Sequence, residues 1–431
     1  MEFAEARHLL HRVGFGATPA ALSRALRRGS ETTIKFLIDD LRDTSRTQPL
    51  AWAEQSVALD KRRSGGGERE QAVELSGWWL REMVETTSPL TERLVLIFFE
   101  HFGSSFARAP YPPLLARHLA LLRKHVGGDF KALLLGIVSD PAFILSRGGP
   151  GALKADPGEG LARALLEATI GPGQGEEEDV RGAAGALTGW GVDPRNGAFR
   201  YDGAAHRSED RRFLGGSGKY NGTDVVNLLL ADPRTSERVV ELLWLGLIGA
   251  PGPDAAERAR LATAWRAEDL MMKPLLASLL GHEAIRDASR FGEAVKSPVE
   301  LLVGAISMLY LEVEHWPTVA RACAALGQDL VDPPAAGWPA GVGWLTAASM
   351  DARHRWSRAL LRESGQLQRA PTWDEVALKT WLGKPTLSAE RARDEAVRVL
   401  LAGKPLVEPP VEFSPHELIL HLMLEPGFQL T

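Results

Sequence analysis

Residues 88–102 read SPLTERLVLIFFEHF, and this stretch decides the fold class. It opens with a Ser-Pro pair, which is typical of the first residues of a helix, and its apolar residues recur at helical spacing. The stretch TPAALSRALRRG has the same signals, because Thr18 and Pro19 form a helix start and Gly29 follows the last turn. Similar stretches recur along the chain, and alternating strand patterns are scarce. The sequence therefore predicts an all-α protein, a multi-helix bundle with two lobes.

One region departs from the helical pattern. Within residues 197–214, Phe199–Tyr201 and Arg212–Leu214 have short strand-like patterns, and we expect them to pair as one small β-hairpin. Residues 61–71 and 171–178 combine glycines with dense charge, so both are expected to form flexible surface loops.

The helical stretches suggest three regions along the chain. We expect an N-terminal helical half over residues 1–150 and a central motif region with a Gly/Arg-rich loop over residues 151–222. A C-terminal helical half over residues 223–431 would contain a Pro/Trp-rich loop at 326–344. No repeat of fixed period is found, which argues against a solenoid.

Composition excludes several classes of protein. The chain has 431 residues, 45% of them hydrophobic, so it can bury a sizeable core. Its formal net charge of −5 argues against a dedicated nucleic-acid-binding protein. The single cysteine excludes an internal disulfide and a thiolate metal cage. No apolar stretch is long enough for a membrane span, and the first residues lack a signal-peptide pattern, so we expect a cytoplasmic protein.

The stretch LGQDLVDPPAAGWPAGVGW, residues 326–344, is too rich in Pro, Gly and Trp for an ordinary linker. Prolines stiffen such a loop, and Trp338 and Trp344 supply aromatic surface. Two interpretations stay open. The loop forms a binding surface for a ligand or partner, or the two tryptophans fill the gap between the helical halves.

Six motifs occur in an order that resembles a bacterial family known as domain of unknown function 1800. They are HLLHRVGFGATP (8–19), EHF after a helix (100–102), ALTGW (186–190), FLG (213–215), KSPVE (296–300) and GQ…PP…GWP (327–339). Members of this family are often exported. They are commonly encoded beside a second family that resembles alkaline phosphatases and sulfatases, and the resemblance therefore implies a protein partner.

The chain departs from the family pattern at several polar positions. Where the family pattern resembles W-H-x-H-F, Phe99 replaces the first histidine. Ala164 replaces a glutamate of the family pattern. Around Glu159 both asparagines of an Asn-Glu-Asn motif are glycines, and Arg207 replaces an aspartate after His206. Late in the chain, Ala335 replaces the asparagine of Pro-Pro-Asn. If the family's polar residues form a catalytic site, this chain is a degenerate relative, a pseudoenzyme.

The polar residues that survive at these motifs are candidates for a site, namely His101, Glu159, Arg163, Glu167 and His206. Two histidines with carboxylates match the ligand types of iron, manganese or zinc, while the metal and any cofactor stay undetermined. The alternative is structural: Arg163 and Glu167, four residues apart on a helix, pair with each other, and His101 forms a hydrogen bond inside the core.

Two further groups of polar residues have a functional and a structural interpretation. His8 and His11 are three residues apart on the first helix, a spacing that permits metal ligation, although partly exposed polar residues are the favoured interpretation. Arg207, Arg211 and Arg212 lie in a loop that could hold an anionic ligand or a partner, or be simply solvated.

Two hypotheses about function follow. The favoured one is a helical binding or assembly component. The alternative is a metal- or acid/base-dependent hydrolase or oxidoreductase that uses His101, Glu159, Glu167 and His206.

Overall fold

The computed structural model describes residues 1–59, 67–334, 337–361, 368–369 and 373–431. Helices make up 60% of these described residues, which confirms the predicted all-α class. In the first half the described α-helices are α1 (Phe3–Val13), α2 (Pro19–Arg28), α3 (Ser30–Asp39), α4 (Gly67–Glu85), α5 (Pro89–Phe102), α6 (Pro112–His125), α7 (Phe130–Val138), α8 (Pro141–Gly148), α9 (Gly158–Thr169) and α10 (Glu177–Ala186). In the second half they are α11 (Gly222–Ala231), α12 (Pro233–Leu247), α13 (Ala255–Ala267), α14 (Met272–Leu280), α15 (Pro298–Met308), α16 (Trp316–Ala325), α17 (Ala347–Leu360), α18 (Glu375–Trp381), α19 (Ala389–Leu400) and α20 (Pro415–Leu424).

Local sequence signals place several helix ends where they were predicted. The Thr18 hydroxyl accepts a hydrogen bond from the Ala21 amide at 3.1 Å, and Pro19 is the first residue of α2. Gly29 ends α2 with a φ of 81°, a left-handed conformation that glycine adopts without steric cost. In the part of the chain that the structure describes, five short 3₁₀ helices lie at Gly149–Lys154, Glu283–Ile285, Ala288–Arg290, Gly341–Trp344 and Pro426–Gln429.

The described strands form three antiparallel pairs: β1 (Trp190–Val192) with β2 (Phe199–Tyr201), β3 (Arg211–Phe213) with β4 (Gly216–Gly218), and β5 (Glu312–Val313) with β6 (Gln368–Arg369). The two segments expected to form one hairpin are both strands, but the predicted pairing between them is wrong. Leu214 and Gly215, both with positive φ, form a two-residue turn that pairs β3 with the residues directly after it. This short connection closes at lower entropic cost than the long loop back to β2.

Helix α5 lies at the centre of the protein. It packs against α1, α4, α6 and α12, and its residues from Leu90 to Phe99 are all buried. A helix that is apolar on nearly every side is stable only inside a protein, and this explains the sequence of residues 88–102. Buried apolar residues from Ala6 to Phe428 join in one core cluster.

Other expectations concern loops and regions. Residues 67–71, expected to lie in a loop, are the first residues of α4, because the apolar periodicity of that helix follows directly after them. Residues 61–66 lie outside the described residues. In the other segment a loop precedes Glu177, where α10 begins. The mobility of the two segments, the two-lobed division and the three regional boundaries stay predictions. Within the described residues no helix combines the length and apolarity needed to cross a membrane.

A buried ion pair joins α5 to α6. The Arg123 guanidinium donates to both Glu92 oxygens, at 2.6 and 2.8 Å, and the Trp79 indole donates to Glu92 at 3.0 Å. Both charged side chains are almost fully buried. We expect Arg123→Met to lower the free energy of unfolding by about 3 kcal/mol, because it leaves the Glu92 charge buried without a partner. Urea unfolding measures the change.

The double variant Glu92→Gln with Arg123→Met is the control for this prediction. It removes both charges and keeps an acceptor for Trp79, so it should recover most of the lost stability. A double variant that is less stable than Arg123→Met alone would contradict the role of the uncompensated charge.

Candidate functional site

The His101 side chain packs inside the protein. Its Nε2 lies 2.6 Å from the Ala168 carbonyl oxygen, and its ring meets the edge of Phe102 at 4.6 Å between centroids. Burial lowers the pKa of His101 to about 4, against the opposing effect of the Ala168 carbonyl. His101 is therefore neutral at pH 7 and donates a hydrogen bond to α9.

The other expected site residues of this region lie on the surface. Arg163 forms two 2.9 Å hydrogen bonds with Glu177 on α10 and lies 3.8 Å from Glu159. The anticipated partner Glu167 is exposed, and the guanidinium turns instead toward the helix that packs alongside. These exposed ion pairs support the helix pair only weakly.

His206 and the arginine-rich loop also have internal partners. His206 Nδ1 lies 2.8 Å from the Thr188 carbonyl oxygen, and Arg207 pairs with Asp156 at 2.9 Å. Arg211 donates to the Tyr220 carbonyl at 2.6 Å, and Arg212 lies 3.4 Å from Glu178. Among the described residues, no group of three or more His, Cys, Asp or Glu side chains is arranged to hold a metal ion. The functional roles expected for these residues stay predictions.

A cavity of about 470 Å³ lies elsewhere, between the N-terminal helix and the Pro/Trp-rich loop. Its walls come from α1, α5, the end of α12, the segment that leads into α15, and residues 338–344. None of the five expected site residues lines it. Four of the six sequence motifs do, through residues between 8 and 12, at 100, between 297 and 300, and between 328 and 339.

One face of α5 forms a wall of this cavity. Arg93, Leu96, Ile97 and Glu100 occupy successive positions on that face at helical spacing. Helix α12 approaches closely here because Gly246 has no side chain: a Cβ at this position would lie 2.5 Å from Ile97 Cδ1. The glycine thus brings the end of α12 to the cavity wall.

Buried charges hold the inner end of the cavity. Arg93 donates to Glu300 at 2.6 Å and to the Gly246 carbonyl at 3.0 Å, while Arg12 donates to the Leu247 carbonyl at 3.2 Å. Burial alone raises the pKa of Glu300, but Arg93 and Arg12 outweigh it and bring that pKa to about 2. Glu300 is therefore ionised at neutral pH.

His8 faces the cavity without a hydrogen-bond partner. Only 3% of the residue is exposed, and neither ring nitrogen forms a hydrogen bond in the described structure. Its ring packs on Phe291 at 4.6 Å between centroids. Burial, and then the nearby Arg12, Arg7 and Arg290, lower the pKa of His8 to about 3. The imidazole is therefore neutral, with one donor and one acceptor.

The expectation that His8 and His11 are partly exposed is wrong. Both residues are buried, because α1 packs against α5 and α12 and the C-terminal residues cover its remaining side. Around His11, burial and the positive charges of Lys296 and Arg7 lower its pKa well below the ordinary range. This positive environment disfavours metal ligation by the pair.

Another ionisable group at the cavity is Glu100, an exposed residue whose side chain lines the cavity wall. Partial desolvation by the surrounding protein raises the pKa of Glu100, against the opposing effects of Arg93 and the Trp338 backbone. Such a shift favours the protonated form relative to a fully solvated carboxyl group.

Aromatic side chains form the outer wall. Trp338 and Trp344 are 7% and 6% exposed, and both line the cavity. Behind Trp338 lies Phe99, with nearly parallel rings 6.5 Å apart between centroids. The Pro/Trp-rich loop thus places its two tryptophans both at a cavity and against the core, and its role as a binding surface stays a prediction.

Comparison with known proteins identifies the family. The sequence model of the family described as Protein of unknown function (DUF1800) matches residues 8–430. The chain belongs to the DUF1800 family. No similar protein was found among curated proteins or among solved structures.

The charged residues of this DUF1800 cavity were not predicted from the sequence; they are Arg12, Arg93, Glu100, Arg290, Glu293 and Glu300. One signal was present: Arg93 and Glu100 interrupt the apolar face of α5 seven residues apart, which is two helical turns. Charges at core positions of a buried helix indicate either ion pairs or a cavity.

The charge of Glu300 leads to a pH-dependent prediction. Its folded pKa, about 2, lies below its ordinary value of 4.5, so its stabilising effect is complete above about pH 5 and is lost as the pH falls toward 2. Relative to the native protein, Glu300→Gln should lose about 3 kcal/mol of unfolding free energy at pH 7. This difference should shrink between pH 5 and pH 3, as measured by urea unfolding at each pH.

Glu293→Gln is the matched control, because Glu293 is an exposed carboxylate at the same cavity. Its stability relative to the native protein should show little change with pH. An equal difference for Glu300→Gln at pH 7 and pH 3 would show that its charge does not stabilise the fold.

Proposed function

We propose that this DUF1800 protein binds a small polar molecule in the cavity between α1, α5, α12 and the Pro/Trp-rich loop. One observation supports this above all: His8 is buried, faces the cavity, and has no hydrogen-bond partner at either ring nitrogen. Buried polar groups are nearly always hydrogen-bonded, and a bound molecule would satisfy this one. This proposal is one specific form of the binding component that the sequence favours.

The dimensions and chemistry of the cavity also favour a small ligand. A volume of about 470 Å³ falls within the usual range of small-molecule sites, roughly 300–1,000 Å³. The wall combines apolar and aromatic surface with a few polar groups that converge from separate helices. Gln328, for example, fixes its amide by accepting a hydrogen bond from the Val299 amide at 3.0 Å. Such fixed polar groups provide orientation and specificity.

Acid–base catalysis in the same cavity is a second candidate function. Glu100 favours it, because this carboxyl faces the cavity and its pKa is raised. Catalysis differs from binding alone because the native protein should then convert the bound molecule into a product. This conversion should disappear in Glu100→Gln, which keeps the size of the side chain and removes its acid–base function.

Three earlier expectations add nothing to this proposal and stay predictions. They are the hydrolase or oxidoreductase site of His101, Glu159, Glu167 and His206, the protein partner implied by family resemblance, and the cytoplasmic location.

Binding can be tested with a fragment library of small polar compounds and ligand-observed NMR. Two variants address the cavity. Ala340→Trp places a large ring at its exposed mouth, and His8→Phe removes the ring nitrogens but keeps an aromatic ring against Phe291. We expect saturable binding of one class of compounds to the native protein, and a loss of at least about tenfold in affinity in both variants.

Leu406→Trp is the matched control, because Leu406 is 79% exposed and does not line the cavity. It adds an indole ring to the surface and should bind the same fragments as the native protein. If every fragment that binds the native protein binds Ala340→Trp and His8→Phe equally well, the cavity is not a binding site and the proposal fails.

A further inference from the structure

The inner end of the cavity is a cationic environment. The charged groups that act on His8 are Arg7, Arg12 and Arg290, and all three are positive. Lys296 and Arg353 are two more basic groups behind this wall, although burial lowers the pKa of Lys296 to about 7, so that it carries only part of a positive charge at neutral pH. The Lys296 amino group donates to the Phe428 carbonyl at 2.7 Å, and Arg353 donates to the Lys296 carbonyl at 2.7 Å. Neither of these contacts supplies a negative charge.

The carboxylates at the cavity compensate for only part of this positive charge. Both carboxylate oxygens of Glu300 already have hydrogen-bond donors: one accepts from Arg93 and the other accepts from the Ser297 amide at 2.7 Å. Glu293 and Glu100 are both exposed, so solvent and salt screen their charges. Around His8, by contrast, Arg7, Arg12 and Arg290 donate hydrogen bonds to backbone carbonyls, which carry no net charge. A ligand that reaches His8 therefore meets positive charge that these contacts do not compensate, which favours an anion and disfavours a cation.

The outer half of the cavity has the opposite character. Trp338, Trp344 and Ile97 line it, and Leu245 lies at its wall with 44% of its surface exposed. Val342, in the turn between the two tryptophans, is 79% exposed. Apolar side chains left accessible around a pocket are favourable contacts for the hydrocarbon part of a ligand.

We propose that the ligand is a small amphipathic carboxylate, with its carboxylate group at His8 and Arg290 and its hydrocarbon part against Trp338 and Trp344. This inference rests on the proposed function and specifies its ligand class. The neutral His8 imidazole donates its N–H to a carboxylate oxygen, and the nearby guanidinium groups stabilise the charge. The aromatic side chains bury the hydrocarbon part.

Three probes of equal chain length separate the possible charges of the ligand. Octanoate is an anion, octanamide is neutral and octylamine is a cation, and isothermal titration calorimetry with the whole protein measures their affinities at pH 7. We expect octanoate to bind about tenfold more tightly than octanamide, since a hydrogen bond to a charged group contributes more than one to a neutral group. Octylamine should bind most weakly.

Two variants test the position of the carboxylate. In His8→Phe and in Arg290→Gln, the preference for octanoate over octanamide should fall toward unity. Arg290 is a suitable target because it is only partly buried and its contacts are to the carbonyls of Gly249, Ala250 and Pro251. Arg286→Gln is the control from the same segment: Arg286 is exposed, does not line the cavity, and should leave the preference unchanged.

Each outcome decides the inference. A preference for octanoate that depends on His8 and Arg290 supports it. Equal binding of octanoate and octanamide, or tighter binding of octylamine, overturns the carboxylate inference, while a loss of that binding in Ala340→Trp would leave the proposed function intact. If none of the three probes binds, this ligand class is wrong, and the fragment library decides separately whether the cavity binds any molecule.

Discussion

The carbonyl groups at the end of α12 need hydrogen-bond donors, and two arginines from other helices provide them. The last carbonyls of any α-helix lack partners within the helix, and they form the negative end of its dipole. Here Arg12 from α1 contacts the carbonyls of Leu245 and Leu247, and Arg93 from α5 contacts that of Gly246. Through these contacts the first helix, the central helix and α12 are fixed relative to one another.

The same requirement explains the charge of the cavity. Two guanidinium groups brought into the interior must be balanced, and Glu300 at the start of α15 pairs with Arg93. Its second oxygen completes the cap of α15, so one carboxylate stabilises a helix start and compensates for cations at a helix end. Because Arg7, Arg12 and Arg290 around His8 donate to backbone carbonyls and not to Glu300, this part of the interior keeps a positive character that a ligand can use.

Local signals in the sequence predicted the helices, and long-range contacts determined the site. The start of α2 at Thr18 and Pro19 depends on neighbouring residues only, so its position could be read directly. The partner of Arg163 could not, since Glu177 and Glu167 are equally plausible until α9 and α10 are packed together. His8 and Glu300 are far apart in sequence, and no periodicity indicates that they share a cavity. Once the structure is known, the sequence motifs do correspond to the cavity, because four of the six motifs contribute residues to its wall.

The replaced residues Phe99, Ala164 and Arg207 do not themselves line the cavity. Phe99 stands where a histidine is expected from the resemblance, and it is fully buried, with its ring beside His118 and behind Trp338. Glu159 and His206, beside other replaced residues, do not line the cavity either. His8, Arg12 and Glu300 do line it, and they belong to motifs that are retained from the family pattern. Loss of polar residues around Phe99 therefore gives no reason to regard the cavity as degenerate, and in this chain Phe99 supports the aromatic wall by packing against Trp338.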